Sequence, residues 1–140
     1  MSKSEPFSLR LSPDVDALVS EEARRTRRSK GSVIEALAAE ALKTRLFPGI
    51  AFRGLDWDRR AWVMGTALDV WQIVDAYRDF ESVEQMASET DLSEPVVRLA
   101  LAYYERFREE IDELLDRNRP SLEQLRTDFP FIDLVPAATS

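Results

Sequence analysis

Two short stretches decide the fold of this chain: Pro6-Phe-Ser-Leu-Arg-Leu-Ser-Pro-Asp-Val15 and Ser29-Lys-Gly-Ser-Val-Ile-Glu-Ala-Leu37. The first begins with apolar residues that alternate with polar ones, at Phe7, Leu9 and Leu11. This period of two predicts a short strand with one apolar face. Ser12 and Pro13 then predict a helix start, because serine accepts hydrogen bonds from first-turn amides and proline tolerates the first helical position.

The residues after Pro13 predict two helices joined by a basic turn. We expect the first helix to run to about Thr26 and the turn to cover residues 27–31. Ser29 is the predicted cap of the second helix, which should end near Leu46, before a proline and a glycine. The apolar stripe of this second helix consists of Ile34, Leu37, Ala38, Ala41 and Leu42.

This unit is too small to stand alone. A strand of about six residues leaves its backbone edge unpaired, and two helices of about 14 residues bury only a small core. Antiparallel pairing of the strands of two chains would satisfy both edges and bring their apolar faces over the helices. The sequence therefore predicts an obligate dimer with two-fold symmetry.

Residues 5–46 resemble a ribbon-helix-helix domain of the Arc repressor and bacterial antitoxin kind, on the two quoted stretches and the basic turn between them. In that family the paired strands lie in the major groove, and the amino end of the second helix takes a phosphate. The resemblance implies that Ser8 and Arg10 read bases. It also implies that a DNA phosphate binds at Ser29, Lys30, Gly31 and Ser32. Pro6 departs from the pattern, because it offers no side-chain donor.

General physical chemistry agrees with these roles. A two-stranded ribbon fits the major groove, arginine can bind guanine with two hydrogen bonds, and a helix amino terminus attracts anions. Attraction to the DNA backbone is expected from the basic residues around the turn: Arg24, Arg25, Arg27, Arg28 and Lys30. The alternative for each residue alone is an ordinary solvated surface.

The net charge of −7 is unevenly distributed along the chain. Residues 1–47 carry nine Lys/Arg and seven Asp/Glu, whereas the remainder carries ten and 19. A slightly basic head on an acidic body indicates two different partners, nucleic acid for the head and another molecule for the body. The alternative is an acidic surface that serves only solubility.

Residues 48–117 predict a small hairpin followed by a helix-turn-helix-like domain. Two apolar runs around a Gly- and Asp-containing connection indicate the hairpin. Asp69, with Gln72 three residues later, predicts one helix start, and Ser82 with Gln85 predicts a short helix to about Ser88. After a turn, the pattern predicts one long helix whose stripe is Val97, Ala100, Leu101, Tyr104, Ile111, Leu114 and Leu115.

Residues 48–115 also resemble a small antitoxin-associated family of unknown-function domains, on Val63-Met-Gly-Thr-Ala-Leu-Asp-Val-Trp-Gln-Ile-Val and on residues 100–104. Together with the head, this implies a VapB-like type II antitoxin whose toxin is a PIN-like, metal-dependent ribonuclease. The predicted long helix, which would be the recognition helix of the helix-turn-helix, begins with Ser93, Glu94 and Pro95. Because this start carries negative charge, protein contact is favoured there over DNA contact. The three tryptophans are interpreted as core, with interface anchors as the alternative: Trp57, Trp62 and Trp71.

Residues 118–140 predict an acidic, partly extended tail, because Pro130 and Pro136 favour extended conformations before them. Apolar groups with little partner surface in their own segment are typical of a region that docks on another protein. The alternative is that the tail packs on a helix of its own chain or of its dimer mate. The expected toxin-binding residues are Arg126, Phe129, Phe131, Ile132 and Leu134.

Several classes of function have little support. The chain has no cysteine and no histidine, which removes disulfides, thiolate and imidazole metal ligands and the usual general base. The acidic pair Asp56 and Asp58 is interpreted as solvated, so no catalytic residue, metal or cofactor is expected and the protein is not expected to be an enzyme. No apolar run approaches the ~18 residues that a membrane span needs, and no signal peptide is evident. We expect a cytoplasmic protein without membrane contact.

The sequence as a whole predicts a mainly α chain in three parts. Residues 1–47 form the dimeric β-α-α ribbon-helix-helix domain, residues 48–117 the hairpin and helix-turn-helix-like domain, and residues 118–140 the toxin-binding tail. The predicted function is that of a type II antitoxin, a homodimer that represses its own operon on operator DNA and neutralises a toxin, with which it can form a higher oligomer. The alternatives are a stand-alone dimeric transcription regulator with an acidic ligand-sensing or oligomerisation domain, and an adaptor that lost DNA binding.

Overall fold

The computed structural model describes residues 4–119 and Thr127, and over these residues the chain is mainly helical with one two-stranded antiparallel sheet. The elements are α1 (Pro13–Thr26), α2 (Lys30–Leu46), β1 (Ile50–Arg53), β2 (Arg60–Val63), α3 (Val70–Tyr77), α4 (Val83–Glu89), α5 (Glu94–Arg106) and α6 (Arg108–Asn118). The chain divides into two compact units, the first ending at Met64 and the second beginning at Gly65. Among the described helices, none has the length and apolar character that crossing a membrane requires.

The helices of the first unit begin and end where the sequence predicts. The Ser12 side chain accepts a hydrogen bond from the Val15 amide at 3.4 Å, and α1 starts at the next residue, a proline. Arg27 closes α1 in the left-handed conformation, with φ of 56°. Ser29 then caps α2 by accepting from the Ser32 amide at 3.1 Å. The predicted pair of helices with a basic turn is therefore confirmed.

The predicted hairpin is also confirmed, and it belongs to the first unit. Strand β1 pairs antiparallel with β2, with Ile50 opposite Val63. Both of these residues are fully buried, and β1 packs against α2. The first compact unit, which ends at Met64, therefore contains this hairpin together with α1 and α2.

The predicted ribbon strand is not a hydrogen-bonded strand in the single chain. Residues 4–12 belong to no helix or strand, and Phe7 and Leu9 are 81% and 56% exposed. A β-strand requires a neighbouring strand for its backbone groups, and the two described strands pair with each other. Of the predicted β-α-α order, the structure therefore shows the two helices but not the strand.

The second unit is a helical cluster that opens with a capped helix. The Asp69 amide donates to the Gln72 side chain at 2.8 Å, as the predicted capping box requires, and the Asp69 residue itself is buried. Ser82 accepts from the Gln85 amide at 3.0 Å and starts α4. Helix α3 packs against α5 and α6, and α4 packs against α5. The core consists of Val70, Ile73, Val74, Val83, Met86, Val97, Ala100, Tyr103, Ile111, Leu114 and Leu115.

The prediction of one long final helix is wrong, because the helix is interrupted at Phe107. This residue has φ of −125° and ψ of 51°, and it separates α5 from α6. The buried residues of α5 are Val97, Ala100 and Tyr103, so Tyr103 is in the core and the predicted Tyr104 is not. The Tyr103 hydroxyl donates to Glu110 at 2.6 Å across the break, and burial, with this hydrogen bond, raises the pKa of Tyr103 above its ordinary value.

Candidate nucleic-acid interface

The amino end of α2 is open to solvent and offers backbone donors. Ser29 to Ser32 are all exposed, and the Ser29 side chain occupies only the Ser32 amide. No acceptor in residues 4–119 takes the amides of Lys30 and Gly31. A Cβ at Gly31 would meet no atom within 4 Å, so the space beside this turn is free. Free amides and the helix dipole together suit this end for an anion such as a phosphate.

Lys30 lies at this end but already has an intramolecular partner. Its Nζ atom is 2.7 Å from the Asp16 Oδ1 atom, and about half of each side chain is exposed. An ion pair of this exposure contributes about 0.2–1 kcal/mol. Asp16 is therefore a weak competitor for any phosphate that approaches Lys30.

The arginines of the basic turn fall into two groups. Arg24 and Arg27 are exposed, and no carboxylate in the described part of the chain pairs with them. Arg28 is partly buried, and its Nε atom has no hydrogen-bond partner among the described residues. Arg25, in contrast, is used inside the unit, where it binds Glu22 at 2.6 Å and Asp56 through two hydrogen bonds of 3.0 and 3.1 Å. These hydrogen bonds hold the pKa of both carboxyls below their ordinary values.

The amino-terminal segment lies along the first turns of α2. Between them is a groove of about 560 Å³, lined by Pro6, Phe7 and Leu9 on one side and by Gly31, Ile34 and Ala38 on the other. The structure thus brings the predicted ribbon segment next to the predicted phosphate site. Ser8 and Arg10 are both exposed, and no described carboxylate pairs with Arg10.

Helix α2 presents apolar residues on two sides. Val33 is fully buried within the unit, whereas the predicted core stripe faces outward. In that stripe Ile34 is partly exposed and the rest is exposed: Leu37, Ala38, Ala41 and Leu42. Further exposed apolar side chains in the same unit are Val15, Leu18 and Leu46. The single chain therefore leaves the apolar face of its head uncovered.

Trp57 is not a core residue, which corrects the sequence interpretation. It is 81% exposed in the connection between β1 and β2. Its position between Asp56 and Asp58 is a signal that could have indicated exposure. The other two tryptophans are partly buried: Trp62 stacks with Arg53 at 5.1 Å, and the Trp71 ring nitrogen donates to Asp69 at 3.3 Å.

The two arginines of α5 differ in their contacts, because Arg106 lies over the Phe107 ring at 5.1 Å whereas Arg98 pairs with carboxylates. Arg98, on α5, is 2.7 Å from Glu84 and 3.5 Å from Glu94.

The five residues expected to bind a toxin lie outside the described residues: Arg126, Phe129, Phe131, Ile132 and Leu134. Residues 4–119 contain no cluster of three carboxylates placed to hold a metal ion. Comparison of the chain with protein-family models, with curated proteins and with solved structures gives no match.

Proposed function

We propose that this chain is a dimeric DNA-binding antitoxin. Two copies pair residues 7–11 as an antiparallel ribbon that reads operator DNA and represses the chain's own operon, and the remainder of the chain neutralises a toxin of PIN-like ribonuclease type. The observation that carries the proposal is the uncovered apolar face shared by the amino-terminal segment and α2. This face lies next to an open helix amino terminus surrounded by arginines.

A second copy of the chain is the partner that fits this face. Phe7 and Leu9 lie in a segment whose backbone pairs with no strand in residues 4–119, so a second copy of the segment would supply hydrogen bonds and apolar cover together. Full burial of one such side chain contributes about 1.5–3 kcal/mol. Helices α1 and α2 also carry exposed leucines, namely Leu18, Leu37, Leu42 and Leu46. A second copy would bury these side chains, so the apolar core would be completed only when the dimer forms.

Pairing would also place the DNA-binding groups symmetrically. The exposed face of the ribbon carries Ser8 and Arg10, and arginine can grip guanine O6 and N7. The amino ends of the two α2 helices, with Lys30, would meet phosphates on either side of the ribbon. Specificity in this arrangement comes from the ribbon, and affinity comes from the helix ends and arginines.

The neutralising half of the proposal rests on the rest of the chain. Residues 48–140 carry a large acidic excess and are poorly suited to DNA, and Arg98 on α5 is already paired with Glu84. The tail combines apolar residues with Arg126, which would suit the carboxylate cluster of a metal-dependent nuclease. A stand-alone regulator would share the head but have no toxin gene beside its own.

The oligomeric state tests the head directly. Leu9→Glu puts a charge into the proposed ribbon, so we expect this variant to be a monomer in light scattering and to lose binding to a 200-bp duplex from upstream of its own gene. Met64→Glu is the matched control, because Met64 is 55% exposed, close to the 56% of Leu9, but lies outside the ribbon. It should remain a dimer and bind. A wild-type chain that stays at 16.1 kDa at micromolar concentration contradicts the proposal.

A further inference from the structure

The connection between β1 and β2, residues 54–59, is fixed to the basic end of the first unit. We name it the hairpin tip. Arg25, in the last turn of α1, binds the Asp56 carboxylate with both terminal guanidinium nitrogens, at 3.0 and 3.1 Å. Arg27 and the start of α2 follow within five residues. The hairpin tip therefore lies at the same end of the unit as the candidate phosphate site.

The hairpin tip is held in one conformation by several contacts. Gly54 has φ of 115°, and a Cβ there would collide with the Asp58 carbonyl oxygen. The Arg59 guanidinium donates to the Phe52 carbonyl at 2.9 Å and to the Gly54 carbonyl at 3.3 Å, and it pairs with Glu40 at 2.8 Å. The Asp58 amide also donates to the Leu55 carbonyl at 2.9 Å. A loop fixed in this way loses little conformational entropy on binding.

This fixed loop nevertheless presents its apolar side chains to water. Trp57 is 81% exposed and Leu55 is 59% exposed. A rigid, exposed tryptophan offers a large apolar contact area at small entropic cost, which is typical of a binding surface. Folding of the unit gives no reason for this placement, because the ring is not used in its core.

The charge around the hairpin tip indicates an anionic partner. Both acidic residues of the tip are paired, Asp56 with Arg25 and Asp58 with Arg60 at 2.8 Å. Residues 21–30 and 53–60 together carry eight cations and four carboxylates, and Asp16 and Glu40, which pair with Lys30 and Arg59, bring the carboxylates to six. In a chain with a net charge of −7, this end of the unit thus has a small local excess of positive charge. Duplex DNA matches that charge, and its minor groove takes apolar side chains.

We infer that the hairpin tip is a second DNA-contacting element, in which Trp57 enters the minor groove that flanks the ribbon site. The inference rests on the proposed DNA-binding function and extends it. With the ribbon in the major groove and the amino end of α2 on the bordering phosphates, the next groove outward is the minor groove. Arg24 and Arg27, which have no described carboxylate partner, bind the phosphates beside the ring. Apolar side chains in a minor groove pack on deoxyribose or wedge between base steps.

Substitution of Trp57 in the full chain tests this contact. The probe is the fluorescein-labelled 200-bp duplex from upstream of the gene, measured by anisotropy and by hydroxyl-radical footprinting. Trp57→Ala should weaken binding roughly tenfold, in line with the loss of one aromatic contact to DNA. Its footprint should lose protection at both outer edges and keep the centre. Trp57→Phe, which keeps a ring, should retain most of both properties, and both variants should remain dimers because the side chain is exposed.

The outcomes separate this inference from the proposed function. A wild-type chain that does not bind the upstream duplex overturns both. Wild-type binding together with an unchanged affinity and footprint for Trp57→Ala overturns the hairpin contact alone and leaves the ribbon intact. Unchanged DNA binding with lost toxin neutralisation also overturns it, because the ring would then serve a protein interface.

Discussion

At the scale of single residues, the ion pair between Lys30 and Asp16 controls a cation at the proposed DNA-binding end. The 2.7 Å contact is exposed, so it is weak, but it must break or reorient when Lys30 meets a phosphate. The Asp16 charge also repels the DNA backbone. Asp16 therefore opposes DNA binding in two ways.

We predict that Asp16→Asn strengthens binding to the upstream duplex by roughly two- to fivefold, the size of one exposed ion pair. Anisotropy titrations at two salt concentrations measure the change. Asp14→Asn is the control, because Asp14 is in the same first turn of α1 and makes no described ion pair. In a Lys30→Ala background, the gain from Asp16→Asn should shrink to the smaller gain that Asp14→Asn gives. Equal gains from both Asn substitutions would mean that only net charge matters and that the pair is irrelevant.

At the scale of elements, the hairpin depends on one glycine. Gly54→Ala should lower the free energy of unfolding by about 1–3 kcal/mol, because alanine at positive φ is strained and its Cβ meets the Asp58 carbonyl. Gly31→Ala is the matched control, since its Cβ meets nothing and alanine favours a helix. Urea unfolding midpoints should fall for Gly54→Ala and stay level or rise for Gly31→Ala. A neutral Gly54→Ala would show that the hairpin tip relaxes easily.

Element boundaries that local chemistry sets could be predicted from the sequence. Ser12, Ser29, Asp69 and Ser82 each cap a helix at the expected position, because a cap acts on amides only two or three residues away. The break at Phe107 could not be predicted, since the apolar spacing continues across it. It coincides with packing between the rings of Tyr103 and Phe107, 4.8 Å apart, and with the hydrogen bond to Glu110.

Parts of the candidate site depend on contacts between distant residues, and these were invisible in the sequence. Arg25 and Asp56 are 31 positions apart, and neither alone indicates that the arginine holds a loop and is not free for phosphate. The ribbon differs again, because its predicted pattern is clear but no strand among the described residues pairs with it, and under the proposed function its partner is a second chain.

At the scale of the whole molecule, the proposal separates DNA binding from neutralisation. Truncation after Arg119 keeps every helix and strand of the described units, including α6, whose end is secured by the Asn118 side chain donating to the Leu114 carbonyl at 2.8 Å. We predict that the truncated chain dimerises and binds the upstream duplex like wild type but fails to neutralise the neighbouring gene product in a growth or RNA-cleavage assay. Full neutralisation by the truncated chain would move the toxin-binding surface to the helices after Gly65.

Under the proposed function, the unpaired segment at residues 7–11 makes gene control depend on the concentration of the chain in the cell. A ribbon that exists only between two chains forms by a second-order reaction, so its amount rises with the square of the free-chain concentration when monomers predominate. Halving the free-chain concentration would then reduce the concentration of active repressor about fourfold. Dilution by cell growth without new synthesis would thus relieve repression steeply, and renewed synthesis would restore it with the same steepness.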